Sequence, residues 1–436
     1  HLQSKFLKFI KKESLIKGMP QNDNDIRISA SDRTTMQELV STKTKLSGIR
    51  IARIATVPVA FDTHLKHQIA MLVKLGASLT LVCRDGAGVK LLRGMSGVNC
   101  EVVDIRREIS PYRDAVALIK LFFFFRWNSI QIVHSTTPKA GLLTAIAAFL
   151  AGVPIRLHTF TGQPWVTMKG LKSWLARFSD VLVGKLNTHC YAVSESQRQF
   201  LIDHQIMSNE CLSVIGSGSL AGVDIRRFDS KRFSLEDCMS MRRSLEIPED
   251  APILLFVGRI TEDKGVKELL GAFAELKAKS SKAHLIFVGP LDAESGVGGA
   301  ISQHNFEQAC DVHMVGHSEC PEAYMAIADV LCLPSYREGC GTVVIGAAAM
   351  GVPTIGTDIY GLVDSIMHEE TGLLVPPKNT DALVSAITLL LNDSTLRIRM
   401  SEAAKRRAYV LYDEEKVNQQ VANKYHSLLL KKGILK

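Results

Sequence analysis

From Ile49 onward the sequence repeats one pattern: a short apolar run, then a longer amphipathic stretch, then another apolar run. IRIARIATV reads as a strand, HLKHQIAMLVKLG as a helix stopped by Gly76, and ASLTLVC as the next strand. IQIVH, PIRLHTF, HCYAVS and SVIGSG continue the series, with helices through KAGLLTAIAAFLAG, KGLKSWLARF and ESQRQFLIDHQ between them. Strands separated by helices must pair in parallel and lie buried under helices on both faces. The pattern reads as doubly wound α/β.

A polar interval from Asp224 to Asp250 interrupts the pattern, which then restarts with PILLFVGR, HLIFVG, VHMVG, VLCLPS and PTIGTD. Two such domains facing across a cleft suit a chain of 436 residues, since one core rarely grows past about 250–300. The expected divisions are a polar extension over 1–48, a first domain over 49–228 and a second over 249–412. The amphipathic segment at about 413–432 is expected to pack back on the first domain.

Net charge of +8 calls for an anionic partner, for which nucleic acid, an anionic lipid surface and a nucleotide sugar all qualify. No apolar run approaches the ~20 residues of a membrane-spanning helix, and the first residues lack the apolar core of a secretory leader. A cytoplasmic protein is therefore expected. The nine cysteines form no C-x-x-C pair or zinc-like cluster, so buried reduced thiols such as Cys83 and Cys332 are expected and no metal site is assigned. The triplet Asp23-Asn24-Asp25 lies in the polar extension and reads as a solvated loop.

Ligands of open α/β sheets bind beyond the carboxyl ends of the strands, so the strand-to-helix loops carry the chemistry. In FVGRITEDKGVKELL, Arg259 and Lys264 place two cations where a diphosphate could be neutralised as it leaves. In PSYREGCGTVVIGAAAMG, Glu338 could accept from sugar hydroxyls, while Gly339 and Gly341 open the backbone before a helix N-terminus suited to phosphate. HSTTPKAGLL offers His134, Thr136 and Lys139, either to orient an acceptor phosphate or as a helix cap with an exposed lysine. HTFTGQPW offers His158, Thr161 and Trp165, the last as a sugar platform or a core plug. Four consecutive phenylalanines, Phe122 to Phe125, cannot all face one core from a helix. With Lys120, Arg126 and Trp127 they suit an anionic bilayer interface, or else a buried junction.

The ordered segments VHSTTPKAGLL, HTFTGQPWVTMKG, YAVSESQRQFLI, GSGSLAGVDIRRF, FVGRITEDKGVKELL, ADVLCLPSYREG and TGLLVPP resemble the retaining glycosyltransferases of family 4. The resemblance is to the branch that builds bacterial capsule and O-antigen repeats, and it covers about Ile49 to Lys432. It implies the GT-B fold and metal-independent transfer from a nucleotide diphosphate sugar, with UDP as the expected nucleotide. The implied acceptor is a polyprenyl-diphosphate-linked or other glycan at the inner membrane face; no cofactor and no nucleic acid enter. By resemblance Gly258, Arg259 and Lys264 meet the donor diphosphate, and Glu338 the transferred sugar. Gly339, Gly341, Thr342 and Val343 line the phosphates, Gly316-His317 flanks the base, and Thr161 and Gly162 lie on the acceptor side.

Thr161 stands where the family often has a histidine, and two further positions depart from the family pattern. The second glutamate of its E-x7-E motif, a ribose ligand, is replaced by Gly346, and a usual aromatic is Cys340. Gly346 leaves two rival readings, a catalytically impaired nucleotide-sugar-binding protein and, more remotely, an epimerase of the same architecture.

Overall fold

The computed structural model describes residues 44–86, 88–106, 108–291 and 311–435. The expected extension and its Asp23-Asn24-Asp25 triplet lie outside these residues, but its last residues belong to the body. Leu46 is fully buried among the residues of the first core, and the Thr44 hydroxyl donates to Asn423 Oδ1 at 2.6 Å.

Two parallel sheets organise the chain. The first has strand order β3-β2-β1-β4-β5-β6-β7, built from Arg50–Ile54, Ser78–Cys83, Val98–Val102, Ile132–Ser135, Ile155–Phe160, His189–Ala192 and Leu212–Val214 as β1 to β7. The second has order β10-β9-β8-β11-β12-β13, from Ile253–Val257, His284–Val288, Val312–Gly316, Val330–Leu333, Thr354–Thr357 and Gly372–Val375 as β8 to β13. Strands β3 and β13, each at one edge of its sheet, escape the sequence reading, whereas the opposite edges β7 and β10 do not. VNCEV alternates half-buried and exposed residues, so it lacks a continuous apolar signal.

In each sheet the winding reverses between its first strand and a later one, β1 beside β4 and β8 beside β11. Such reversals open a crevice at the strand carboxyl ends, and these crevices define the cleft.

The interval expected to be a linker carries a helix, Leu235–Ser244, opened by a capping box in which Ser234 and Asp237 bond reciprocally. Phe233, Cys238, Met241 and Leu245 pack on the second core, so that lobe begins well before residue 249. The chain crosses back at residues 412–414, where Val223 N donates to Tyr412 O at 2.7 Å and Glu414 N to Val223 O at 3.0 Å. Helix Glu414–Lys431 then returns to the first lobe and buries Val421, Ala422, Tyr425 and Leu429 there.

Candidate active site

The two loops singled out in the second lobe come together. Lys264 ends the turn after β8 and Glu338 the loop after β11, and Lys264 Nζ lies 2.5 Å from Glu338 Oε1. Ser335 Oγ donates to the same oxygen at 2.9 Å. Beside this pair Arg337 Nη2 meets Asp263 Oδ2 at 2.9 Å. Each loop thus contributes one acid and one base, and they pair crosswise. Burial alone would raise the Asp263 pKa, but donation from Thr261 and the charges of Arg337 and Lys264 more than reverse this, and it is held below the ordinary carboxylate range. Asp263 and Arg337 were missed in the sequence, although each stands directly before a residue that was chosen.

Local backbone geometry fixes the loops. Gly265 adopts φ +68 at the start of helix Val266–Ala278, where a Cβ would fall 2.0 Å from Pro334 O. Only glycine lets the Lys264 turn come that close to the Glu338 loop. Gly341, at φ +60, opens helix Thr342–Met350 with Thr342 exposed and Val343 half-buried at its first turn. The free backbone N–H groups of that turn make a positive end close to Glu338. Arg259 and His317 are exposed at the ends of β8 and β10, beside Gly258 and Gly316.

Gly346 is buried in that helix, and a Cβ there would lie 3.0 Å from the Phe228 ring. The missing glutamate's place therefore faces an aromatic ring. Cys340 is also buried, beside Ser365, and burial pushes its thiol up to about 12.

The acceptor-side residues separate into two groups. Thr161 and Gly162 do reach the cleft: a Cβ on Gly339 would sit 2.5 Å from Thr161 O, and one on Gly162 would sit 3.6 Å from Arg337 Nη1. Ser194 Oγ donates to Gly339 O at 2.9 Å, and Ser196 Oγ accepts from Gly361 N at 2.7 Å, so the lobes touch along this line.

The other four are buried or paired within the first lobe. His134 is buried between Tyr425, whose hydroxyl is 2.5 Å from Nδ1, and Thr159, whose hydroxyl is 2.7 Å from Nε2. Burial and the nearby Arg53 guanidinium hold it well below the ordinary histidine range, hence neutral. His158 is buried against Ser135, 2.9 Å from Nδ1, and burial drives its pKa down to about 3. Lys139 pairs with Asp114 at 2.7 Å, stapling two helices of the first lobe. Thr136 is buried, donates its backbone N–H to Ile54 O at 3.2 Å, and accepts at its carbonyl from Thr161 Oγ1 at 3.3 Å. Trp165 is likewise a core plug, stacked on Phe200 with its Nε1 donating to Asp180 Oδ2 at 2.8 Å.

Histidines at strand ends in sequence thus serve a polar network inside the first lobe. Its centre is Arg53, 1% exposed, whose Nη1 donates to Gln68 Oε1 at 2.6 Å and to Tyr425 Oη at 2.7 Å. Among the described residues no carboxylate pairs with it.

Two family descriptions match the chain. Glycosyl transferase 4-like domain matches residues 49–218, and Glycosyl transferases group 1 matches residues 239–407, together most of the chain. The capsular polysaccharide biosynthesis glycosyltransferase CapM of Staphylococcus aureus is 28% identical, over 84% of this chain and 94% of that protein. An N,N'-diacetylbacillosaminyl-diphospho-undecaprenol alpha-1,3-N-acetylgalactosaminyltransferase of Campylobacter jejuni is 26% identical, over 74% and 84% respectively. Among solved structures, Anabaena HepE in complex with UDP and glucose superposes with a TM-score of 0.72 at 19% identity, covering 87% of this chain and all of that one, a likeness of fold.

Proposed function

Because this chain belongs to the family 4 glycosyltransferases of the GT-B fold, the branch of capsule and O-antigen synthesis, we propose that it is a metal-independent retaining enzyme using a UDP-sugar donor. The observation that carries this reading is the Lys264–Glu338 pair at 2.5 Å, set at two strand ends before the Thr342–Met350 helix. Donor binding would exchange Lys264's carboxylate partner for the diphosphate, with Arg259 beside it and the N–H groups around Gly341 to Val343 on the phosphate oxygens. Glu338, released, would accept from hydroxyls of the transferred sugar. As the bond from the anomeric carbon to the phosphate oxygen breaks, the departing charge meets Lys264 and Arg259. The acceptor oxygen attacks from the same face, and the leaving phosphate takes its proton.

By its likeness to a transferase named for a diphospho-undecaprenol-linked sugar, the acceptor is a lipid-linked glycan at an anionic membrane surface on the cytoplasmic side. The test is transfer from UDP-sugars to polyprenyl-diphosphate acceptors in the presence of EDTA. Undiminished turnover is expected; turnover abolished by EDTA and restored by a divalent ion would overturn the metal-free mechanism.

A second reading, a nucleotide-sugar-binding protein with impaired transfer, is favoured by one observation, the Phe228 ring facing Gly346. UDP binding without any turnover across donors would select it.

A further inference from the structure

Most of the large apolar side chains left exposed in the first lobe gather on one helical layer. Helices Pro111–Trp127, Pro138–Leu150 and Gly170–Leu186 pack side by side, the middle one against both others. The first exposes Tyr112, Val116, Ile119, Phe123 and Trp127, which recur every three or four residues as one stripe. The third exposes Leu171, Trp174, Leu175 and Phe178 with the same spacing. Phe123 stacks on Trp127 at 4.7 Å and Trp174 on Phe178 at 5.5 Å, so aromatic pairs are held together at the surface. Of the phenylalanine run itself, Phe125 is buried, Phe122 and Phe124 are half-buried, and only Phe123 is exposed. Sequence patterning did not single out the stripe on the third helix.

Charge selects what covers this layer. On the two outer helices every exposed charge is positive: Arg113, Lys120, Arg126, Lys172, Arg177 and Lys185. Their acids are withdrawn, Asp114 onto Lys139 and Asp180 beneath Trp165. Arg113 leans on Asp104 and Arg177 on the His204 carbonyl, and the rest are exposed on the same two helices as the apolar stripes. Interleaved aromatics and cations, with no exposed acid on either outer helix and Asp104 and Glu108 exposed only before the first, match an anionic bilayer interface, where rings seat at headgroup depth and cations meet phosphate.

We infer that this helical layer is a lipid-docking face and that its cleft-side edge lies against the bilayer. Both outer helices start from the side of the sheet where its strands end. The loop entering the third helix begins at Thr161 and Gly162, which touch the Glu338 loop, and continues through exposed Val166 and Met168 to Leu171. An acceptor drawn from the bilayer therefore meets the cleft without leaving the lipid surface. This rests on the lipid-linked acceptor reading but names the surface and the orientation.

Flotation of the full chain with vesicles of phosphatidylglycerol and phosphatidylethanolamine, against phosphatidylcholine alone, tests it. Two of the three tryptophans, Trp127 and Trp174, are on the face and Trp165 is buried, so binding is also read as a blue shift quenched by brominated acyl chains. The anionic vesicles are expected to bind and the neutral ones at least tenfold more weakly. L171S/W174S/F178S is expected to lose binding at least tenfold, with melting temperature and UDP affinity unchanged. K120E/K172E, which spares the apolar stripes, is expected to do the same. Parent-like binding by either variant, or equal binding to neutral vesicles, overturns the inference. So does a dimer in sedimentation that the triple variant dissociates while neither protein binds vesicles, since the face would then be a subunit interface. Vesicle binding with no UDP binding would sink the donor assignment and leave the docking face standing.

Discussion

The two lobes share a winding pattern but treat polarity in opposite ways. The central strands of the second lobe, ILLFV, HLIFV and VLCL, keep most charge out of the sheet and deliver it at the strand ends, as Asp263, Lys264, Arg337 and Glu338. The first lobe draws Arg53, Gln68, His134, Thr159, Asn418 and Tyr425 into its interior and bonds them to one another. A polar residue near a strand end is therefore a cleft residue in the second lobe, while in the first it is either a cleft residue, as Thr161 is, or a core residue, as His134 and His158 are. Buried polar groups are costly unless bonded, so the first lobe's network is a structural commitment of several side chains at once.

This contrast is sharpest where a second-lobe substitution abolishes turnover without unfolding the chain. Lys264→Ala should lower kcat by about 100- to 1,000-fold, the scale for removing one group that stabilises developing charge. Circular dichroism and UDP titration check that the fold remains. A Lys264→Ala protein with parental kcat places the diphosphate elsewhere.

The reverse result is expected from the first lobe. Tyr425→Phe removes a hydroxyl bonded to both Arg53 and His134, and should cost about 1–3 kcal/mol in urea unfolding with UDP affinity unchanged. A loss of UDP affinity with unchanged stability would put the network in the donor site and erase the contrast.

Titration gives a smaller and signed effect. His134 and His158, with pKa values depressed by burial, stay neutral when folded, so the unfolded chain binds more protons and stability falls as pH drops below about 6.5. Asp180 opposes them. Burial raises its pKa to about 7, so it contributes stability that is fully present below the ordinary carboxylate range and lost as pH rises through about 7. Asp180→Asn should therefore steepen the acid loss by about 1.4 kcal/mol per pH unit between roughly pH 4 and 6.5. Parallel curves of unfolding free energy for the two proteins would mean Asp180 is ionised in the fold.

The smallest effect is expected at Gly346. A new Cβ meets the edge of the Phe228 ring at 3.0 Å, which offsets the helix gain of about 1 kcal/mol for replacing glycine. Gly346→Ala should stay within about 1 kcal/mol of the parent, and Gly346→Glu should bind UDP within about threefold of it, since the ring faces the incoming carboxylate. A gain of about tenfold or more in calorimetry would mean that the ring swings aside and the ribose is reached after all.

Legibility in the sequence follows the same division. The winding and the returning helix were readable because periodicity is local, and the Lys264 and Glu338 loops because glycines mark where backbone must turn. The roles of His134 and His158 were not readable. Their partners Tyr425, Thr159 and Ser135 include one nearly three hundred positions away, |i−j| = 291, and no spacing rule reaches that far. The capped helix at Leu235–Ser244 was hidden by its charge, since it buries none of its residues fully.

The helix Glu414–Lys431 has a consequence for the order in which the protein can be made. When synthesis reaches Leu411 every strand of the second sheet has been produced, and that lobe has all its core residues. The first sheet, although translated earlier, still lacks Val421, Ala422, Tyr425 and Leu429, which close its interior. Arg53 and His134 wait for the Tyr425 hydroxyl through the whole of that interval. The half of the protein born first is thus the last to mature, and it holds an open hydrophobic seam beside the ribosome until the final helix emerges.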